Sequence, residues 1–430
     1  MKISTLLGIM LVFVQSVWAN TNAYKPGGTA LEKYVIVYSA EADANEGLDQ
    51  ASALQAKLLE LTGKSNDIQA SDAVKKKNAV ISIGNLHKKG TFDYSVTARR
   101  GNIVIDGGSS WALNKAADVL VDYVRNHPSA STFTLSGSVD GEVLFPRGEG
   151  VNLRILDDNI WDYSKETVPQ VWKEAGKDCR DSVRAPEYAQ IVRAYMPDVV
   201  VLQEFSSHMN DELYPRIEKY GYRNACSKKK TQWNNTPVFY NVDSLELLYV
   251  NYNPYTPSQW NNHGSKSFTS AVFKQKSTDK VFAIINTHLW WKGDHQQPGS
   301  TLARASQVRL MMAEAEILKH KYDCPIFVTG DMNCEENSIP MQQFLTSGYV
   351  PCYKAATVYG NNDNGHHECA PSVVGERKSW RKGRDRQTGA IDHCLIYNAH
   401  DAEVKVFDCI QDYFTVKLTD HYPNLIDVKL

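Results

Sequence analysis

Residues 281–291 read VFAIINTHLWW. Val281 to Ile285 form an unbroken apolar run rich in β-branched and aromatic residues, the pattern of a strand buried on both faces. The run ends on Asn286, Thr287 and His288. A buried strand that ends on an imidazole holds that group rigidly. The arrangement recurs along the chain. Val199–Leu202 lead to Glu204, Ile326–Thr329 lead to Asp331 and Asn333, and Leu153–Leu156 lead to Asn159. Asp392 lies inside Ala390–Ile396, and Asp420 and His421 stand just before a final apolar run. One polar residue at a strand end is usually a cap or a turn former. A series of them describes one constructed site.

The chain has 430 residues, with 47 basic and 49 acidic side chains and a formal net charge of −2. This balance excludes a bulk polycation that coats nucleic acid and leaves polyanion recognition to local patches. With 42% hydrophobic and 22% charged residues the composition is that of a globular protein. The length suggests two or three domains. Met1-Lys2, the apolar run Leu6–Val14 and the small residues Val17 and Ala19 predict a signal peptide over residues 1–19. The run is too short to span a bilayer, and no later stretch approaches the ~20 apolar residues of a transmembrane helix. A secreted or periplasmic protein is expected. Eight cysteines, all from Cys179 onward and without a CxxC spacing, fit an oxidising compartment better than a zinc ribbon. A Cys352–Cys369 loop disulfide or free thiols are expected ahead of a metal site with His366 and His367.

Residues 30–143 read as a small α/β domain. Strand-like runs lie at 34–40, 78–84, 92–99, 102–106 and 132–139, with helical spacing over 46–62 and from Ala112 onward. No His, Cys, Asp and Glu cluster there with catalytic spacing. Pro and Gly near 140–150 mark a boundary. Beyond it, residues 150–430 alternate strand-like runs (151–156, 197–202, 236–240, 245–250, 281–287, 325–330, 390–397 and 402–407) with helical stretches near 185–195, 208–219 and 302–321. In the last of these Val308, Met311, Met312, Ala315 and Leu318 share one face.

The chemical inventory fits metal-assisted hydrolysis of a phosphate ester. Glu204 offers a hard oxygen to Mg²⁺ or Mn²⁺, and no soft thiolate set competes. His288 and His421 suit phosphoryl oxygens, Asp331 an attacking water, and Asn333 a phosphate oxygen; Asp392 suits the role of holding His421. There is no GxSxG and no P-loop.

The ordered strings NLRILDDNIWD, PDVVVLQE, INTHLWW, VTGDMNC, GAIDHCLIY and LTDHYP resemble the successive motifs of the endonuclease/exonuclease/phosphatase superfamily. The resemblance implies an α+β fold, a four-layered α/β/β/α sandwich of two packed sheets flanked by helices, preceded here by the small α/β domain. It implies Glu204, Asn159 and Asp420 at the metal, and His421, Asp331, His288, Asp392 and Asn333 as catalytic groups. Asn333 and Arg304 would meet the phosphate. Where some members carry an acidic residue two positions after the first Asn, this chain has Trp161, with Asp162 one residue later. His393 alternates away from Asp392 and reads as structural. The stretch GNIVIDGGSSWALNKAADVLVDYV, residues 101–124, resembles small α/β domains that precede catalytic domains in secreted glycan-acting hydrolases. It reads either as a packing module or as a glycan or surface contact.

Residues 377–386, RKSWRKGRDR, gather six basic side chains around Trp380 just before Asp392. Such a loop suits a nucleic-acid backbone with Trp380 stacking a base, or an anionic phospholipid or phosphoinositide head group, or plain solvation. Lys228–Lys230 with Trp233 form a weaker patch that reads as simply exposed, and Trp290-Trp291 read as either groove or core. The expectation is an exported Mg²⁺- or Mn²⁺-dependent phosphodiesterase or phosphatase, with nucleic acid slightly favoured over phospholipid. An inactive glycan- or surface-binding protein is the reading from another class.

Overall fold

The computed structural model describes residues 24–39, 44–73, 79–83, 92–162, 180–226, 228–229, 232–261, 264–359, 390–410, 418–419 and 421–430. The chain forms two compact units, Met1–Asp140 and Gly141–Leu430. No described helix is long and apolar enough to cross a membrane.

In the first unit the strands β1 (Val35–Tyr38), β2 (Ile68–Ala70), β3 (Val80–Ile83), β4 (Asp93–Arg99), β5 (Asn102–Gly107) and β6 (Thr132–Ser138) form one sheet in the order β2-β1-β3-β5-β4-β6. β1, β2, β3 and β5 run parallel, and β4 is antiparallel to β5 and β6. The helices α1 (Ala44–Thr62) and α2 (Ser110–Asn126) carry its crossovers. The Ser109 hydroxyl accepts the Ala112 N–H at 3.3 Å and starts α2. Leu113, Ala116, Leu120 and Val124, at helical spacing, pack with Val96, Ile103 and Ile105. A Cβ at Gly107 would stand 2.8 Å from the Leu113 nitrogen, so only glycine lets the helix sit down on the end of β5.

The second unit is a sandwich. One sheet has the order β18-β20-β21-β7-β8-β12-β9, from β7 (Leu153–Asn159), β8 (Val199–Gln203), β9 (Tyr222–Asn224), β12 (Val238–Asn241), β18 (Val358–Tyr359), β20 (Glu403–Cys409) and β21 (Asn424–Lys429). The other has the order β13-β14-β15-β16-β19-β17, from β13 (Leu245–Pro254), β14 (Ser267–Gln275), β15 (Val281–His288), β16 (Ile326–Asp331), β17 (Val350–Pro351) and β19 (Asp392–Tyr397). A short hairpin, β10 (Lys228–Lys229) with β11 (Gln232–Trp233), stands apart from both. Between the sheets lie Leu153, Ile155, Val199, Val201, Phe282, Ile284, Phe327 and Ile426.

Alternation sends the neighbours of these residues outward. Ala283, Ile285 and Val328 pack under Val308, Met311, Ala315 and Leu318 of α5 (Ser300–Tyr322) and under Met341 and Phe344 of α6 (Ile339–Thr346). On the far side, the helices are α3 (Asp181–Tyr195) and α4 (Ser207–Glu218), and Tyr188 of α3 donates to Asp158 of β7 at 2.7 Å. The result is the four-layer α+β sandwich expected from the sequence.

β7 and β21 are joined by more than their backbone ladder. Arg154 and Asp427, paired in register, make two parallel bonds of 2.7 Å and are each about 3% exposed. Removing one partner strands a buried charge. Asp427→Ala should therefore cost about 3–5 kcal/mol of unfolding free energy, read from urea denaturation. Glu403→Ala, at an exposed site paired with half-buried Lys405 and exposed Lys429, should leave the transition nearly in place.

Candidate active site

The register of the strands places the polar groups. β15 and β16 run parallel with His288 opposite Asp331, and β16 meets β19 antiparallel with Asp331 opposite Asp392. Three neighbouring strands thus end in a row of imidazole and two carboxylates. In the facing sheet β7 and β8 run parallel with Asn159 opposite Gln203, and Glu204 follows at once. β21, antiparallel to β7, begins three residues after His421. Both sheets therefore present their functional groups at one edge.

Beneath that edge lies a buried polar layer. Gln203 Nε2 donates to Asp157 Oδ1 and to Asn286 Oδ1, each at 2.8 Å. Asn286 in turn donates to the carbonyls of Leu202 and Pro237 at 2.8 Å. Gly330, at φ 128°, makes room for this crossing: a Cβ there would stand 2.1 Å from the Thr287 carbonyl oxygen.

At the edge itself Asp331 is the hub. Its Oδ1 accepts the Asn333 backbone N–H at 2.8 Å, and its Oδ2 accepts from Asn159 Nδ2 at 3.0 Å and lies 3.3 Å from His288 Nε2. Glu204 Oε1 lies 3.8 Å from the same His288 nitrogen, and Glu204 Oε2 accepts the Asp162 backbone N–H at 2.8 Å. His421 Nδ1 meets Asp392 Oδ2 at 2.8 Å. Asn333 donates its side-chain amide to the Leu289 carbonyl at 3.1 Å. Glu204 and Asn333 both adopt left-handed backbone angles, φ 55° and 50°, uncommon for residues with a side chain and frequent where a site fixes it.

Two loops are held from behind. The buried Arg184 guanidinium donates to the carbonyls of Ile160, Trp161 and Leu418 and to Asp181. Thr419 donates to the Asn159 carbonyl and accepts the His421 N–H. These bonds fix Asn159 and His421 relative to each other.

The electrostatics follow from the crowding. Burial alone would raise the Asp331 carboxyl, but the charges of His288, His421 and Lys266 and the hydrogen bond to His288 outweigh it and hold the group well below the usual carboxylate range. Burial also opposes ionisation of Glu204, and His288, Lys266, the Asp162 N–H and His421 turn the balance so that it too is lowered. Burial lowers the Lys266 ammonium, partly offset by Glu204, Asp331 and Asp162. Asp157, in the layer below, has no such cations beside it: burial dominates, the Asp392 charge adds to it, and the carboxyl is pushed up to about 7 despite the hydrogen bond from Gln203 and the nearby polar groups of Thr329 and Asn424.

The structure thus brings Asn159, Glu204, His288, Asp331, Asn333, Asp392 and His421 to one edge of the sandwich. Asp420 and Trp380, like the whole basic stretch 377–386, lie outside the described residues. Arg304, expected at a phosphate, is 7% exposed and donates to the carbonyls of Trp290 and Lys292 at 3.0 and 2.7 Å. It braces the loop behind His288. His393 is turned to the Cys334 carbonyl at 2.9 Å. Cys352 meets Cys394, with Sγ atoms 3.3 Å apart, and Cys369 lies outside the described residues. Trp290 is buried at 1% exposure and Trp291 stands 45% exposed.

Lys266 was not anticipated. It is 4% exposed, and its Nζ lies against the His288 ring, 3.1 Å from Nδ1. The signal was its position: Ser267 pairs with His288 across β14 and β15, so the preceding residue falls beside the imidazole.

Over residues 180–421 the chain matches the profile of the Endonuclease/Exonuclease/phosphatase family. The chain belongs to this family. Its fold is similar to that of an endonuclease/exonuclease/phosphatase family protein from Bacteroides thetaiotaomicron, at 18% identity over 64% of this chain and 97% of that one, with a TM-score of 0.50. It is also similar to a family member from Bacteroides vulgatus, at 22% identity over 65% and 98% with a TM-score of 0.48. A third similar structure is a mannosyl-6-phosphatase from Bacteroides thetaiotaomicron, at 16% identity over 64% and 99% with a TM-score of 0.49. Among curated proteins none matches.

Members of the family generally require a divalent metal, and the donor set here suits one. Among the described residues, ligand atoms of Asp331, Asp392 and His421 lie within 4.8 Å of one another. Asp392 and His421 already bond each other, which points to Glu204 and Asp331, with Asn159, as the oxygen donors left for a hard cation.

The raised Asp157 carboxyl carries a stability consequence. Its folded-state pKa of about 7 lies above the unfolded value of 3.8, so the folded state holds a proton that the unfolded state has lost between those values. Stability from this group is full below about pH 4 and is lost as pH rises toward 7. Asp157→Asn keeps the acceptor for Gln203 and removes the titration. The variant should therefore gain thermal stability over wild type at pH 8 relative to pH 5. An equal melting difference at both pH values would show that Asp157 does not titrate there.

Proposed function

We propose that this protein is an exported, Mg²⁺- or Mn²⁺-dependent hydrolase of phosphate esters. The observation that carries the reading is the convergence of Glu204, His288, Asp331, Asp392 and His421 on one edge of the sandwich, each delivered by a strand end or the turn beside one. When bound, the metal would neutralise phosphoryl charge and favour ionisation of water. Glu204, Asn159 and Asp331 would hold it, with Asp420 beside His421 as a further support.

The residues of the chain divide the remaining work. His288 and Lys266 bring positive charge to a non-bridging phosphoryl oxygen, where charge grows in the transition state. Asn333, fixed to the Leu289 carbonyl, lies beside them for a second oxygen. Asp331 orients the attacking water in line with the departing oxygen. His421, held through Nδ1 by Asp392, directs Nε2 to that oxygen and supplies its proton. Asp392 stabilises the charged ring and fixes its tautomer.

Hydrolysis of p-nitrophenyl phosphate and bis(p-nitrophenyl) phosphate, measured with Mg²⁺ or Mn²⁺ and with EDTA, tests the reading. EDTA should abolish turnover and added metal should restore it. His421→Ala should lower turnover by ~10²–10³ with little change in melting temperature. A protein that hydrolyses neither ester while binding glycan would instead be the inactive binding module. Export is tested separately: protein recovered from the periplasm or medium should begin at Asn20.

A further inference from the structure

Within the second unit a cleft of about 710 Å³ adjoins the catalytic edge, a size suited to a small ligand. Tyr255, Ser258, Gln259, Trp290, Lys292 and Gln297 line it. Its walls rise from the same strand ends as His288. Trp290 stands two residues after His288, and Pro254, in the lining, pairs with Ser267, which in turn pairs with His288. Asn261, also in the lining, accepts the Lys266 backbone N–H at 2.7 Å. A group attached to a phosphate held by His288 and Lys266 therefore has this cleft beside it.

We propose that the cleft receives the alcohol part of the substrate and that this part is a sugar ring, so that the protein acts on sugar phosphates. The inference rests on the hydrolase reading above. Among the described residues the lining carries one cation, Lys292, and no carboxylate. A nucleic-acid strand is gripped through several phosphates and needs a track of cations, which a single lysine does not make. A lipid needs continuous apolar wall, and here the hydroxyl of Ser258 and the amides of Gln259 and Gln297 interrupt it.

Among the described lining residues the aromatic rings, Tyr255 and Trp290, are buried and offer no open face to a stacked base. Trp290 is buried, its indole N–H donates to Ser300 Oγ at 3.2 Å, and it packs edge-on against Trp260 at 83°. What remains is a mixed set of donors and acceptors. Amides and hydroxyls provide both, as the hydroxyl groups of a sugar require. Lys292 Nζ lies 5.4 Å from the exposed Trp291 ring and 5.7 Å from Trp290, which holds its charge at the wall.

The experiment compares kcat/KM of the full chain, with Mg²⁺ or Mn²⁺, on hexose 6-phosphates, hexose 1-phosphates, p-nitrophenyl phosphate, a single-stranded oligonucleotide and phosphoinositide vesicles. The variants are Gln259→Ala with Gln297→Ala, and Lys292→Ala. These side chains are exposed or half-buried, so the fold should persist, which melting curves check. A hexose phosphate should be the best substrate. The double variant should lower its preference over p-nitrophenyl phosphate about tenfold, mainly through KM, because lost hydrogen bonds to substrate hydroxyls cost about this much.

Turnover of aryl ester with no preference for a hexose phosphate would overturn the sugar assignment and leave the hydrolase reading standing. So would an oligonucleotide or vesicle as best substrate, or an unchanged preference in the variants. If no ester is hydrolysed, the hydrolase reading falls. Calorimetric titration with hexose 6-phosphates then decides the cleft, and absence of binding overturns it as well.

Discussion

The side-chain amide of Gln203 spends both hydrogens on carboxamide and carboxylate oxygens in two different sheets. Apolar faces alone permit sliding, because hydrophobic contact is not directional. A buried amide is directional, and it is costly if unpaired. The bond to Asn286 therefore sets the depth at which the two sheets meet. Everything above it depends on that depth. Glu204 follows Gln203 directly, and His288 lies two residues beyond Asn286 on the same strand face. The glycine at 330 belongs to the same constraint, since any side chain there would collide with the Thr287 carbonyl and press on the Gln203 amide.

The site also illustrates how charge is stored in a small volume. Asp331 and Glu204 are lowered and Asp157 is raised, although burial opposes ionisation in all three. The difference is the company each carboxyl keeps. His288 and Lys266 stand beside the first two, whereas Asp157 has neutral amides and a second carboxylate for neighbours. Two residues along β7, from Asp157 to Asn159, separate a layer that favours a proton from a layer that repels it.

The convergence of polar groups was legible in the sequence because they fall at the ends of apolar runs. The helix α5 was legible too, since Val308, Met311, Ala315 and Leu318 keep helical spacing. β14 was not: its buried Ser267, Thr269 and Ser270 look like loop residues until their partners Thr236, Asn234 and Glu314 are seen. Missing that strand also hid Lys266. Arg304 shows the opposite failure. Its place on the helix after the His288 loop suggested a phosphate contact, but its Nη1 donates to the carbonyls of that loop. The three-residue strand β2 carried too short a pattern to be recognised.

The division of the polar edge between sheets has a bearing on when the chemistry becomes available. Asn159 and Glu204 come from one sheet, and His288, Asp331 and Asp392 from the other. His421 arrives only with the approach to β21, which closes against β7, the first strand of the unit. A nascent or half-assembled chain holds the residues but not the edge. Assembly of the polar edge is thus coupled to the pairing of β21 with β7, two strands far apart in the sequence.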